Sequence, residues 1–167
     1  MDKKYVDYLK KHEDKIMNLG DGEENEKFVF GAVVEINFIK YYAPISSIKS
    51  YQLKQNGSLE QIFKKRTFPI LDENKIIALV RIDFMFPIDE SSLKILDITK
   101  LSEPYKRLVE KEYFYCKSNK EEIRIKAEDL YKKAVKPTHF LNQLCANFKL
   151  LELKYNEWVT EKVKQSK

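Results

Sequence analysis

The sequence predicts an α+β fold, in which a mostly antiparallel β-sheet is covered by helices, and a single domain over residues 1–167. Runs of β-branched and aromatic residues without a helical period dominate the first hundred residues, which is typical of strands. Apolar residues at three- and four-residue spacing dominate the rest of the chain and its first segment, which is typical of helices. Because the strands are grouped instead of alternating with helices, this fold class is favoured over a parallel α/β fold.

The first part of the chain contains one helix and the predicted strands. The helix covers residues 2–16, with Asp2 as its N-cap. The strands are predicted over residues 28–36, 40–45, 63–70, 76–84 and 93–98. A turn at residues 37–38 joins the first two strands into a hairpin, and residues 46–50 form a polar loop after the second strand.

Three helices are predicted in the second part of the chain. Their apolar spacing places them over residues 105–117, 120–135 and 147–162. Pro104 suits the first turn of the first helix, and Pro137 ends the second. Asn147 is the expected N-cap of the third helix.

The charge of the chain is unevenly distributed. The net charge is +5, but residues 40–81 carry +5 and residues 106–167 carry +6, while the other two segments are net negative. If folding brings the two positive segments together, they form a basic surface that would attract a polyanion such as a nucleic acid.

Several function classes are disfavoured by what the sequence lacks. Two cysteines, Cys116 and Cys145, and two distant histidines, His12 and His139, do not have the spacing of a zinc site. No glycine-rich phosphate loop is present, and no apolar run approaches the ~20 residues of a membrane span. We therefore expect a soluble, cytoplasmic protein without cofactor, metal or membrane contact.

One polar segment has the groups needed to bind a phosphate. Ser46, Ser47 and Lys49 place two hydroxyls and an ammonium within four residues, directly after a predicted buried strand. Lysine neutralises a phosphate as a point charge, and hydroxyls can donate hydrogen bonds to its oxygens. From composition alone, an ordinary polar turn explains the same residues.

Five segments, in this order along the chain, carry a resemblance to a known family. They are Lys4-Tyr5-Val6-x-Tyr8-Leu9, Phe28-x-x-Gly31-x-Val33-x-x-Ile36, Tyr41-x-Ala43-Pro44-Ile45-Ser46-Ser47-x-Lys49, Ala78-x-x-x-Ile82-x-x-Met85-x-Pro87-Ile88 and Asn147-Phe148-x-Leu150-Leu151-Glu152-x-Lys154. Together they resemble the ToxN/AbiQ family, the endoribonuclease toxins of type III toxin–antitoxin systems. In these systems the antitoxin is a repeated RNA.

The resemblance implies a strongly twisted antiparallel sheet with surrounding helices, related to the Kid/MazF toxins. It also implies metal-independent RNA cleavage by the 2′-hydroxyl group, which gives 2′,3′-cyclic phosphate ends. Ser47 matches the key serine of the family, Ser46 a neighbouring hydroxyl position, and Lys49 and Lys27 two active-site lysines. A tyrosine that some members have upstream of the first strand has no counterpart here.

The expected partners also follow from the resemblance. They are a small structured antitoxin RNA, such as a pseudoknot processed from the repeats, and target mRNA, in an RNA-bridged homo-oligomer. The biological role would be growth arrest and phage defence by abortive infection of a bacterium. The predicted RNA-binding residues are Lys54, Lys64, Lys65, Arg66, Lys117, Lys120 and Arg124.

Two other hypotheses remain open from the residues alone. The first is a non-catalytic RNA-binding module with the same basic surface. The second is a metal-dependent nuclease that uses Asp83 or Asp89, although these carboxylates do not show the spacing of metal ligands.

Overall fold

A computed structural model of the protein describes residues 2–16, 29–93 and 96–165, and it leaves out the side chains of residues 29–32 and 165. The helices are α1 (Lys3–Lys10), α2 (Gln61–Arg66), α3 (Glu103–Ser118), α4 (Lys120–Ala134), α5 (Leu141–Leu144) and α6 (Phe148–Gln165). The strands are β1 (Val29–Ile36), β2 (Ile39–Ser47), β3 (Phe68–Asp72), β4 (Lys75–Val80) and β5 (Phe86–Pro87). The prediction of an α+β fold is therefore confirmed.

The sheet is antiparallel in every pairing, and β2 is its central strand. The strand order is β1-β2-β4-β3, and β5 also pairs with β2. On one side, β1 pairs with β2 only as far as Val29 opposite Pro44. On the other side, β4 pairs with the last three residues of β2, and β5 pairs with Tyr41 and Tyr42. Among the described residues, the end of β2 after Pro44 is thus paired along one edge only.

Irregular pairings curl this sheet. The register shifts within the β1–β2 and β3–β4 pairs, where each bulge increases the local twist. Between β4 and β5, the 3₁₀ turn Ile82–Phe84 interrupts the pairing with β2.

The relation of this fold to the Kid/MazF toxins stays a prediction.

Two hydrophobic clusters hold the elements together. The larger cluster packs α1, α4 and α6 on the sheet, and at its centre Phe148 stacks on Tyr131 and meets Tyr41 edge-on. The smaller cluster consists of Leu59, Phe63 and Leu79. Because Phe63 lies on α2 and Leu79 on β4, this cluster fixes α2 against the strand that pairs with the end of β2.

The predicted helices of the second part and their caps are confirmed. α3 begins at Glu103 with Pro104 in its first turn, as expected. Asn147 caps α6 by accepting the Leu150 N–H at 3.1 Å. At the other end of the chain, Asp2 caps α1 through the Lys4 N–H, but α1 ends at Lys10 and not at residue 16.

Three strand predictions are wrong in part. Residues 63–66 of the predicted strand 63–70 belong instead to α2, whose Phe63 packs against Leu59 and Leu79 in the smaller cluster. The strand predicted over 76–84 ends at Val80, before the 3₁₀ turn. Where residues 93–98 are described they contain no strand, and Asp97 caps a 3₁₀ turn through the Thr99 N–H.

The loop predicted at residues 46–50 also begins later than expected. Ser46 and Ser47 belong to β2, since they pair with Leu79 and Ala78 of β4.

In the described ranges, no helix is long and apolar enough to cross a membrane.

We expect Glu112 to make the stability of the fold depend on pH. Its carboxyl group is partly buried on α3 and has no hydrogen-bond or ion-pair partner among the described residues, and burial raises its pKa to about 7 from 4.5. The folded chain then keeps a proton that the unfolded chain releases between these two values, so stability falls as the pH rises from 4.5 to 7. Glu112→Gln should stabilise the protein by about 2 kcal/mol at pH 8 and have almost no effect at pH 4.5.

Thermal unfolding at both pH values measures this effect. Glu110→Gln, on the same helix, corrects for the general effect of removing one negative charge. An equal stabilisation by Glu112→Gln at both pH values would contradict the assignment.

Candidate functional site

Ser46 and Ser47 lie at the end of β2 and point to opposite faces of the sheet, because side chains alternate along a strand. Ser47 lies opposite Ala78 and is exposed. Ser46 lies opposite Leu79, and its hydroxyl oxygen is buried without a hydrogen-bond partner among the described residues. The Ser47 hydroxyl is therefore the one of the two that an incoming ligand can reach directly.

Lys49 follows the strand with a fixed backbone and an exposed side chain. Its N–H donates to the side-chain oxygen of Gln52 at 2.7 Å, and its carbonyl accepts the Gln52 N–H at 2.9 Å. Gln52 is only 1% exposed. No carboxylate of the described chain lies within 4.0 Å of the Lys49 ammonium, which is therefore available to an anion near Ser47.

The smaller hydrophobic cluster packs against the segment that carries Lys49. Ile48 and Leu53 pack against it, and Leu53 forms a bridge with Leu59. The loop closed by that bridge exposes Lys54 and turns at Gly57, whose φ of +78° favours glycine. The site thus lies on a packed base formed by α2 and β4.

Lys27, the second predicted active-site lysine, lies outside the described residues. Its predicted role stays a prediction.

The two basic segments of the sequence meet around α2. The ammonium of Lys126, on α4, donates to the carbonyl of Thr67 at 2.6 Å. The guanidinium of Arg66 donates to the carbonyl of Leu144 at 3.4 Å. The fold therefore places the basic end of α2 against the α4–α5 region.

The predicted RNA-binding cations fall into two groups according to their partners. Across the described residues, five are exposed and have no carboxylate within 4.0 Å, namely Lys54, Lys64, Lys65, Lys117 and Lys120. Arg124 forms ion pairs with Glu121 and Glu128 on its own helix. Arg66 forms an ion pair with Asp83 at 3.0 Å, and only 13% of its side chain is exposed. The charge of both arginines is therefore already balanced by carboxylates of this chain, which weakens their predicted role as RNA contacts.

A buried ion cluster, which sequence reasoning missed, holds α2 in place. Asp83 is completely buried, and Arg81 donates to its two oxygens at 2.8 and 2.9 Å. Arg66 approaches the same carboxylate from α2, and the Asp83 carbonyl accepts the Ala146 N–H before α6. One signal was available in the sequence, since Arg81 and Asp83 are the only charged residues within the apolar run 76–88.

Neither carboxylate of the metal-nuclease hypothesis is available as a ligand. Both oxygens of Asp83 accept from arginines, and Asp89 accepts from Ser91 and from the Lys162 ammonium. Residues 2–16, 29–93 and 96–165 contain no group of three His, Cys, Asp or Glu side chains arranged to hold a metal ion.

The sequence matches a known protein family over most of its length. A family model described as the toxin ToxN of type III toxin–antitoxin systems matches residues 1–156. The chain belongs to this family. The match covers α1, the whole sheet, the Ser46–Lys49 segment and the first half of α6.

Similar proteins and structures agree with that assignment. Endoribonuclease ToxN of Pectobacterium atrosepticum is 32% identical over 164 residues, which cover 95% of this chain and 91% of that protein. Endoribonuclease AbiQ of Lactococcus lactis subsp. lactis is 32% identical over 158 residues, which cover 90% and 82%.

Three solved structures share the fold. The first, from work on a processed non-coding RNA that regulates a bacterial antiviral system, has a TM-score of 0.77 at 32% identity, over 92% of this chain and 93% of that one. AbiQ, described as a lactococcal anti-phage endoribonuclease of a type III system, has a TM-score of 0.74 at 27% identity, over 94% and 93%. The third, from work on selective toxin inhibition by a non-coding RNA pseudoknot, has a TM-score of 0.75 at 26% identity, over 93% and 92%.

In this ToxN family member, the C-terminal signature that suggested the family has a structural role. Glu152 accepts hydrogen bonds from the Tyr41 and Tyr131 hydroxyls, and it forms an ion pair with Lys149. These contacts tie α6 to the central strand, while Phe148 packs between the same tyrosines. The signature therefore supports the sheet that carries Ser47.

The cysteines of this ToxN family member have no sign of reactivity. Cys116 and Cys145 are completely buried, and burial raises the pKa of each thiol to about 12. Both thiols are therefore protonated at neutral pH, which removes them as nucleophiles.

Proposed function

We propose that this chain is a metal-independent endoribonuclease toxin whose active site is formed by Ser47 and Lys49, together with Lys27 and Ser46. The observation that supports it best is the exposed Ser47 at the end of β2, next to Lys49, which has a fixed backbone and no carboxylate partner among the described residues. The chain belongs to the ToxN family, and its relatives ToxN and AbiQ are endoribonucleases, which supports RNA cleavage as the reaction of Ser47 and Lys49.

In the proposed reaction the RNA supplies its own nucleophile. The 2′-oxygen bonds to the adjacent phosphorus as it loses its proton, and the bond from phosphorus to the 5′-oxygen breaks as that oxygen gains a proton. The products are a 2′,3′-cyclic phosphate and a 5′-hydroxyl end. The catalyst must hold these atoms in line and stabilise the charge that develops on the phosphoryl oxygens.

Each residue has a distinct role in this reaction. Lys49 and Lys27 stabilise the phosphoryl charge as point charges. The hydroxyl of Ser47 orients the 2′-hydroxyl or the phosphate by hydrogen bonding and can relay a proton. It does not act as the base alone, because an ordinary serine is too weak a base. Ser46 supports Ser47 only indirectly, because its hydroxyl is buried on the opposite face of the sheet, where it has no partner among the described residues.

The proposed partners of this chain are RNAs. A small structured antitoxin RNA, cleaved from a repeat precursor and then retained, would inhibit the toxin, and cellular mRNA would be the target of the free toxin. The lysines around α2 that have no carboxylate partner in the described part of the chain supply charge for both, and RNA-bridged copies of the chain would form a homo-oligomer. Growth arrest in the bacterial cytoplasm and phage defence by abortive infection would follow.

We expect the purified protein to cleave RNA in excess EDTA and to leave 2′,3′-cyclic phosphate and 5′-hydroxyl ends. A 2′-deoxy substitution at the cleaved nucleotide should abolish cleavage there, because the nucleophile is then missing. Mass spectrometry of the fragments identifies the ends.

The same experiment separates the other hypotheses. Cleavage that is lost in EDTA and restored by a divalent cation would contradict the proposed mechanism. Tight RNA binding without cleavage under any condition would instead support a non-catalytic RNA-binding module.

A further inference from the structure

The loop between α4 and α5 presents an exposed aromatic ring on a rigid base. Phe140 is 47% exposed and stacks on the imidazole of His139, with ring centres 4.9 Å apart and planes at 26°. The His139 Nδ1 atom accepts the Leu141 N–H at 3.2 Å, and the His139 N–H donates to the carbonyl of Lys136 at 3.0 Å. Hydrogen bonds thus fix the imidazole on which the Phe140 ring stacks.

The cations beside this ring have few partners. The Lys65 ammonium lies 5.3 Å from the centre of the Phe140 ring. Neither Lys65 nor Lys64 lies within 4.0 Å of a carboxylate of the described chain. Burial and, to a lesser extent, the proximity of Lys64 lower the pKa of Lys126. This crowding of positive charge favours an anionic occupant over a protein or a lipid tail.

We propose that Phe140, supported by His139, is a stacking platform for one unpaired base of the bound RNA, and that Lys64 and Lys65 bind the adjacent phosphates. An exposed cation–π contact is weak, so the flexible Lys65 side chain can move to a phosphate while a base takes its place over the ring. Aromatic stacking accepts any base, since every base has a π-face. The proposal rests on the proposed function in that the bound RNA is the substrate or the antitoxin.

The platform is connected to the candidate active site through α2. Lys65 lies on α2, and Phe63 of the same helix packs on Leu79, the β4 partner of Ser46. One short helix thus joins the serines to the ring. The RNA strand that leaves the cleaved phosphate would pass over α2 to reach Phe140.

The test measures binding to RNA analogues that cannot be cleaved. The probes are a 2′-O-methyl oligoadenylate of about ten nucleotides and an abasic oligomer of equal length, which carries the same phosphates without bases. Wild-type protein should bind the oligoadenylate at least about fivefold more tightly than the abasic oligomer. Phe140→Leu should lose this preference, and Lys65→Ala should weaken both probes equally and reduce the salt slope by about 1.

Two further variants keep the result interpretable. Phe140→Trp preserves the platform, so it should keep the preference, and its fluorescence should be quenched by the oligoadenylate. Phe38→Leu is the matched control, because Phe38 is 96% exposed at the tip of the β1–β2 hairpin, where Lys40 is paired with Glu90. Its affinity for both probes should equal that of the wild type.

The proposal is overturned if wild-type protein binds both probes equally, or if Phe140→Leu keeps the preference. Because the probes cannot be cleaved, this outcome is independent of the reaction. A chain that prefers the oligoadenylate but never cleaves RNA would contradict the proposed function and support the platform. A chain that cleaves RNA but binds both probes equally would support the proposed function and contradict the platform.

Discussion

Replacing Ser47 by alanine is expected to reduce RNA cleavage by about 100-fold or more. The Ser47 hydroxyl is exposed beside Lys49, and in the proposed reaction it orients the attacking or accepting oxygen. RNA affinity should remain within about twofold of the wild-type value, because the lysines that set affinity are unchanged. Single-turnover cleavage and equilibrium binding, measured on the same protein, separate the two effects.

The fold should tolerate this substitution. Ser47 occupies an exposed position at the end of β2, so the thermal unfolding temperature should change little. Ser118→Ala, at the exposed end of α3, is the matched control and should cleave RNA like the wild type. Undiminished cleavage by Ser47→Ala would refute the assignment of the catalytic serine.

The sequence could predict the fold class and the helices because those depend on local patterns. Asp2 and Asn147 cap their helices through side-chain contacts only two or three residues away. The strand ends were less predictable, since they depend on partners distant in sequence. Val80 ends β4 because the chain then turns to place Asp83 against Arg66 of α2, a partner 17 residues away in sequence.

For the candidate site, the sequence identified the residue types but not their environment. Ser47 and Lys49 were recognisable from their spacing and family resemblance. The sequence alone could not show that Ser46 points into the fold, or that Arg66 is occupied by Asp83. Phe140 was also missed, because its importance depends on Lys65, which is 75 residues away in sequence.

We expect Asp83→Asn to destabilise the protein by about 3–5 kcal/mol, because the substitution leaves Arg81 and Arg66 without their shared counter-charge. The carboxylate is completely buried, so water cannot replace it. At a few degrees per kcal/mol, the unfolding temperature should fall by about 10 °C. Asp72→Asn is the control, because its ion pair with Lys111 is exposed and should contribute less than about 1 kcal/mol.

A double-variant cycle identifies the cause of this loss. If uncompensated arginine charge is responsible, Asp83→Asn combined with Arg66→Gln should be more stable than the sum of the single effects predicts, since one of the two unpaired charges is then gone. Chemical denaturation of the four proteins gives the interaction free energy. A loss for Asp83→Asn no larger than that for Asp72→Asn would show that the buried cluster does not hold α2. If the cluster does hold α2, Lys64 and Lys65 depend on Asp83 for their position. The RNA affinity of Asp83→Asn should then be lower than that of the wild type even well below the unfolding temperature of the variant.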